Sequence, residues 1–175
     1  MTADGGNMTN WHLAQVNIAR MKDALDSPVM ADFVAGLDPV NAAAETADGY
    51  VWRLQGEGND ATSLRFMDDP WLIVNMSVWR DHSALFEFVY STDHRPFLKR
   101  RREWFERMQE AVTVLWWVPA GHEPTVGEAE QRLTALRTNG PTPYAFTFGD
   151  PFPSPEEVGA SDEAVEAVEK VSADD

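Results

Sequence analysis

Residues 79–105, WRDHSALFEFVYSTDHRPFLKRRREWF, join the end of an apolar strand to a helix that changes character at His94. Before His94, Leu85, Phe86, Phe88 and Val89 recur at the spacing of an amphipathic helix, and Asp81 stands where an N-cap belongs. Ser91 to Arg95 reads as a break or tight bend, after which a second helical piece is expected to about Gln109. That piece is basic: Arg95, Lys99, Arg100, Arg101, Arg102 and Arg107 are opposed only by Glu103 and Glu106. Six of the chain's 14 lysines and arginines therefore fall here, in a protein of formal net charge −15. The ordinary explanation of such a run is a solvated helix face. His94, at the junction, is the leading single candidate for a functional side chain, weighed against the capping or hydrogen-bonded role that most lone histidines play.

Working outward, Trp71–Trp79 is the clearest strand, with Leu72, Val74, Met76 and Val78 on one face and Trp71, Ile73, Asn75, Ser77 and Trp79 on the other. Trp11–Ile18 alternates in the same way: Ala14, Val16 and Ile18 against Leu13, Gln15 and Asn17. Two further strands are expected at Tyr50–Gln55 and Val112–Val118, and Tyr144–Phe148 offers a fifth, edge strand. Ser27-Pro28 opens a first helix to about Thr46, with Ser27 as N-cap and a kink or split at Pro39. Thr125 and Glu128 form a capping box for a helix to Arg137. Residues 56–69, GEGNDATSLRFMDD, make a hairpin connection of a length that is often functional.

The order strand-helix-strand, strand-helix-strand predicts an α+β chain with the split βαβ arrangement of a ferredoxin-like fold and an antiparallel four-stranded sheet. Both helices are expected on the wholly apolar sheet face. The other face, with Gln15, Asn17, Asn75, Ser77 and Trp79 among apolar neighbours, is too apolar for open water and too polar for an ordinary core. A second sheet from a homodimer partner would cover it and leave a small-molecule cavity. His94 reaches over the rim of that cavity, and its ordinary pKa, about 6.5, suits acid–base work.

The 175 residues suit one domain, residues 11–148, with a polar leader at 1–10 and a Pro-rich then acidic tail at 149–175, both expected to be disordered. No cysteine means no disulfide and no thiolate chemistry. Neither a signal-peptide core nor a membrane-length apolar run is present, so a soluble, cytoplasmic protein is expected. The overall acidity argues against nucleic acid as a partner. There is no nucleophile elbow, P-loop, dinucleotide fingerprint or HExxH.

The stretches WHLAQVNIA, YVWRLQGEGNDATS, DPWLIVNMSVW, HRPFLKRRREWFERM, VLWWVPAGHEPT and GPTPYAFTF resemble a bacterial domain-of-unknown-function family in the dimeric α/β-barrel superfamily. The wider superfamily includes antibiotic-biosynthesis-type and haem-degrading monooxygenases. The haem degraders use an Asn on the first strand, a Trp on the third and a His in the next helical segment. Asn17, Trp79 and His94 follow that order, although the Trp-to-His spacing is longer, residues 56–69 are inserted and residues 119–148 have no counterpart. The resemblance implies, first, a cofactor-independent, monooxygenase-like oxidoreductase for an aromatic or polyketide-like substrate. His94, Asn17 and Trp79 would be catalytic; Gln15, Trp52, Asn75, Ser77, Trp117 and Arg95 would hold the substrate. Haem binding or degradation, with His94 as axial ligand and Arg95 on a propionate, is the alternative, and a non-enzymatic sensor or structural dimer is the third.

Overall fold

The computed structural model describes residues 10–91 and 94–160. Four strands, β1 (Trp11–Arg20), β2 (Tyr50–Arg53), β3 (Leu72–Trp79) and β4 (Thr113–Pro119), form one antiparallel sheet in the order β2-β3-β1-β4. This is the ferredoxin-like arrangement, and the chain is α+β. Tyr144–Phe148 does not extend the sheet as a fifth strand: it contributes a single antiparallel bridge, Phe146 to Leu115. Central β1 sets the register. Gln15 faces Ser77, Asn17 faces Asn75 on one side and Thr113 on the other, and Leu13 lies between Trp79 and Trp117. The strict period of two therefore gathers every mixed residue on one face and every apolar residue on the other.

The faces are covered the opposite way from expectation. The wholly apolar face, including Val16, Val74, Met76 and Val114, packs against Ala129, Leu133 and Leu136 of α4 (Val126–Asn139) and against Ala61, Leu64 and Phe66. Residues 56–69 are thus a packing segment rather than a loose tip, and Phe66 is wholly buried. Its end is anchored by Glu130, which accepts from the Met67 amide at 2.7 Å, and by the Arg20–Asp69 ion pair at 2.6 Å. At its Leu13–Trp79–Leu115 end the mixed face lies under α1 (Ala31–Thr46) and α2 (His82–Val89), through Ala44, Ala84, Leu85 and Phe88; α3 (Arg95–Trp104) flanks the other end, where Asn17 and Asn75 stay exposed. Over one end of this face, the cover that was expected from a partner's sheet comes from the same chain.

Other elements differ locally. Pro28–Met30 is a 3₁₀ turn, α1 begins after it and runs through Pro39, and Ser27 makes no side-chain cap. Asp81 caps α2 by accepting from the Ala84 amide at 2.8 Å. α3 stops at Trp104 rather than near Gln109, because Phe105 bridges to Met21 and the Glu106 amide donates to the Arg20 carbonyl. Thr125 caps α4 as expected, but the Glu128 carboxylate turns to the Trp116 indole N–H (3.0 Å) and His122 (2.7 Å) instead of closing the box. The chain stays packed beyond residue 148: Ser154 is buried, and the Phe152 carbonyl accepts from the Trp117 indole at 2.9 Å. Most of the leader (residues 1–9) and the acidic part of the tail from residue 161 lie outside the described residues. Among those described, no helix is long and apolar enough to cross a membrane.

Candidate functional site

Between the mixed sheet face and the three helices lies a cavity of about 800 Å³. That is large enough for a drug-sized molecule. β1 and β3 supply its floor through Gln15, Asn17, Asn75 and Ser77, with Trp79 at one end. α1 contributes Phe33, Leu37 and Asn41, while Phe88 of α2 and Phe97 of α3 add aromatic walls. Gly36 lets α1 and α3 close on one another. A β-carbon there would lie 1.9 Å from the tip of the Phe97 ring, so any other residue would displace that ring.

The floor is a directional hydrogen-bond chain. The Trp79 indole donates to Ser77 Oγ at 2.8 Å, and Gln15 Nε2 donates to the same oxygen at 2.8 Å and to Asn75 Oδ1 at 2.9 Å. Ser77 Oγ thus accepts twice, and its own proton remains to be given elsewhere. Both N–H groups of Gln15 are used, which leaves its carbonyl oxygen as an acceptor. Asn75 accepts through its oxygen and keeps its two N–H donors. Asn17 donates one N–H to Thr113 Oγ1 at 2.8 Å and retains the other N–H and its carbonyl oxygen. Sheet register alone produces this set, since Gln15 sits opposite Ser77 and one step from Asn75.

His94 lies on the wall at the start of α3. Its Nδ1 is 3.0 Å from the Val89 carbonyl, which can only accept, so Nδ1 carries the proton and Nε2 keeps its lone pair. Burial pushes the His94 pKa below its ordinary value, and the Val89 bond opposes this with smaller effect. Near neutrality the ring is therefore an uncharged base of fixed tautomer. Phe88 contacts both the His94 ring (5.4 Å between centroids) and the Trp79 ring (5.1 Å, stacked).

Six of the residues singled out from sequence meet in this cavity: Gln15, Asn17, Asn75, Ser77, Trp79 and His94. Three do not. Trp52 packs against the opposite sheet face, Trp117 packs beside Phe146 and Phe152 outside the cavity, and exposed Arg95 reaches back to the Tyr90 carbonyl at 3.4 Å. Trp79 is present as a wall, but its N–H is committed to Ser77 and is not a free donor. Sequence reading missed Asn41, a lone amide in the run PVNAAAET, which lines the cavity with no side-chain hydrogen bond among the described residues. It also missed Arg101 and Arg102, placed on the wall by α3.

A family model described as domain of unknown function DUF3291 matches residues 12–162. The chain belongs to this family. No functionally curated protein matches it by sequence. Among solved structures it is similar to SnoaB, a cofactor-independent oxygenase from Streptomyces nogalater, at 19% identity and a TM-score of 0.43, covering 64% of this chain and 95% of that one. A Mycobacterium tuberculosis protein is similar at 16% identity and a TM-score of 0.44, covering 65% and 99%. So is a putative antibiotic biosynthesis monooxygenase from Chloroflexus aurantiacus J-10-fl, at 12% identity and a TM-score of 0.40, covering 66% and 99%. Likenesses this distant assign no residue roles, and the chemistry has to be read from the cavity itself.

Proposed function

We propose that this DUF3291 protein is a cofactor-independent, monooxygenase-like oxidoreductase that takes a flat aromatic or polyketide-like substrate into the cavity. The observation that carries this reading is His94: half-buried, uncharged, with Nδ1–H held by Val89 and Nε2 unprotonated on the wall of an aromatic hollow. Nε2 takes the acidic proton of a substrate CH2 or phenol. Asn75 Nδ2, the second N–H of Asn17 and the Ser77 hydroxyl stabilise the resulting oxyanion; these are the floor donors left uncommitted. The electron-rich anion then reduces dioxygen, a C–O bond forms, and loss of water breaks the O–O bond. A CH2 group becomes a C=O, with one oxygen atom in the product and one in water.

The test is oxygen uptake with a hydroxylated anthrone, which carries such an acidic CH2. One dioxygen should be consumed per quinone formed, well above the uncatalysed rate, and His94→Ala should return the rate to background while keeping the fold by circular dichroism. Wild type no faster than His94→Ala would overturn the proposal. The same Nε2 lone pair would also suit haem iron, with His94 as the residue holding it. A Soret band that saturates on haem titration and disappears in His94→Ala would favour that alternative. The homodimer implied by the superfamily resemblance would not pair through the apolar sheet face, which α4 and residues 56–69 cover.

A further inference from the structure

Eleven arginines occur in the sequence, and all are among the described residues. Eight have a partner for the guanidinium, a carboxylate or a backbone carbonyl. Arg20 meets Asp69, Arg53 meets Glu45 and Asn59, Arg65 meets Asp68, Arg80 meets Asp48 and Asp81, and Arg100 meets Asp32 and Glu103. Arg95 and Arg132 donate to the Tyr90 and Tyr144 carbonyls, and Arg137 to the Ala111 carbonyl. The three that remain, Arg101, Arg102 and Arg107, have no side-chain hydrogen bond or ion pair among the described residues, and all three are exposed where they line the cavity, at its rim. Lys99 lines it too, also without a side-chain partner among them. In a chain with 29 acidic residues against 14 basic ones, partners for a guanidinium are plentiful. Unpaired cations gathered at the rim of one cavity mark a place that attracts an anion. Two carboxylates also line the cavity: Asp60, whose Oδ1 accepts from Thr62, and Glu106. They do not balance the four cations.

The helix sets the spacing. His94, Leu98 and Arg101 all line the cavity, and Arg101 is seven positions after His94, two turns along the same side of α3. Seven residues rise about 10 Å. A planar guanidinium is suited to bidentate contact with a carboxylate. Building on the proposed function, we propose that the substrate is an aromatic carboxylic acid, its carboxylate held by Arg101 and its reacting position some 10 Å away at His94. Arg102, Arg107 and Lys99 deepen the positive field around that anchor. The proposal names the feature that would select substrate from other flat apolar molecules, which the floor amides and aromatic walls would accept alike.

The experiment is a fluorescence titration with two probes of nearly the same shape, 9-anthracenecarboxylate and its neutral carboxamide. Wild type should bind the acid at least tenfold more tightly than the amide. Arg101→Ala should weaken acid binding about tenfold and leave the amide unchanged, with partial retention in Arg101→Lys and none of these effects in Arg65→Ala, a distant surface control. Raised salt should weaken only the acid. Equal affinity for both probes, or a preference for the acid that survives Arg101→Ala, would overturn the anion anchor while leaving the cavity intact. Binding of neither probe would overturn the cavity reading together with the anchor. The base chemistry of His94 is read separately, by oxygen uptake with the uncharged anthrone. Acid-selective binding without turnover would retain the anchor and remove the oxygenase.

Discussion

Replacing Ser77 with alanine removes one oxygen that two buried donors share. The Trp79 indole and the Gln15 amide each lie 2.8 Å from it, and Trp79 is 1% exposed. The indole N–H has no other partner, so the variant leaves a wholly buried donor unsatisfied, at a cost of about 1–3 kcal/mol. The Gln15 amide keeps Asn75 and borders the cavity, where water can replace the lost bond, so its contribution is small. Denaturant unfolding of Ser77→Ala should show that loss with an unchanged m-value, or roughly 2–4 °C of melting temperature per kcal/mol. A double-mutant cycle isolates the cause: in a Trp79→Phe background, which lacks the N–H, Ser77→Ala should cost about 1 kcal/mol less. A Ser77→Ala change within about 0.5 kcal/mol of wild type, or additive single effects, would refute the shared-acceptor floor.

Phe66→Ala should destabilise by about 3–5 kcal/mol in chemical denaturation, because the ring is wholly buried against the sheet; a near-neutral result would restore residues 56–69 to a surface loop. Asn17→Ala should cost under about 1.5 kcal/mol, the worth of one exposed hydrogen bond to Thr113, yet weaken probe binding in the fluorescence titration. The lowered pKa of His94 makes the unfolded state bind more protons than the folded state at mildly acid pH. Its contribution to stability is complete above about pH 6.5, falls as pH drops towards the folded pKa and levels off below it. The stability difference between wild type and His94→Gln, followed from pH 8 to 5, should shrink across that range.

The fold was legible because strands carry their own pattern. Alternation in 11–18 and 72–79 located both central strands and both faces, and five of the six cavity residues followed from them, His94 coming instead from the break before α3. Which face the helices would take was not legible. Apolar strands say only that something covers them, and the covering belongs to residues with weaker periodicity: Phe66 in a Gly- and Asp-rich connection, and Leu133 and Leu136 in α4. Arg53 shows a different limit. It reads as a strand-end charge, but it is buried because Glu45 and Asn59 satisfy it from other parts of the chain. Arg101 was visible only as one of a run of like charges. What separates it from Arg100 is that Asp32 lies near one and not the other, and that proximity is set by the packing of α1 on α3.

The account stands most directly on His94, and nitrogen-15 NMR of its imidazole during a pH titration reads it without a substrate. The prediction is an Nδ1-protonated neutral ring titrating below about 6.5, the ordinary histidine value, with an Nε2 signal that shifts when 9-anthracenecarboxylate fills the cavity. An Nε2-protonated ring, a pKa at or above that ordinary value, or a ring indifferent to the probe would contradict it.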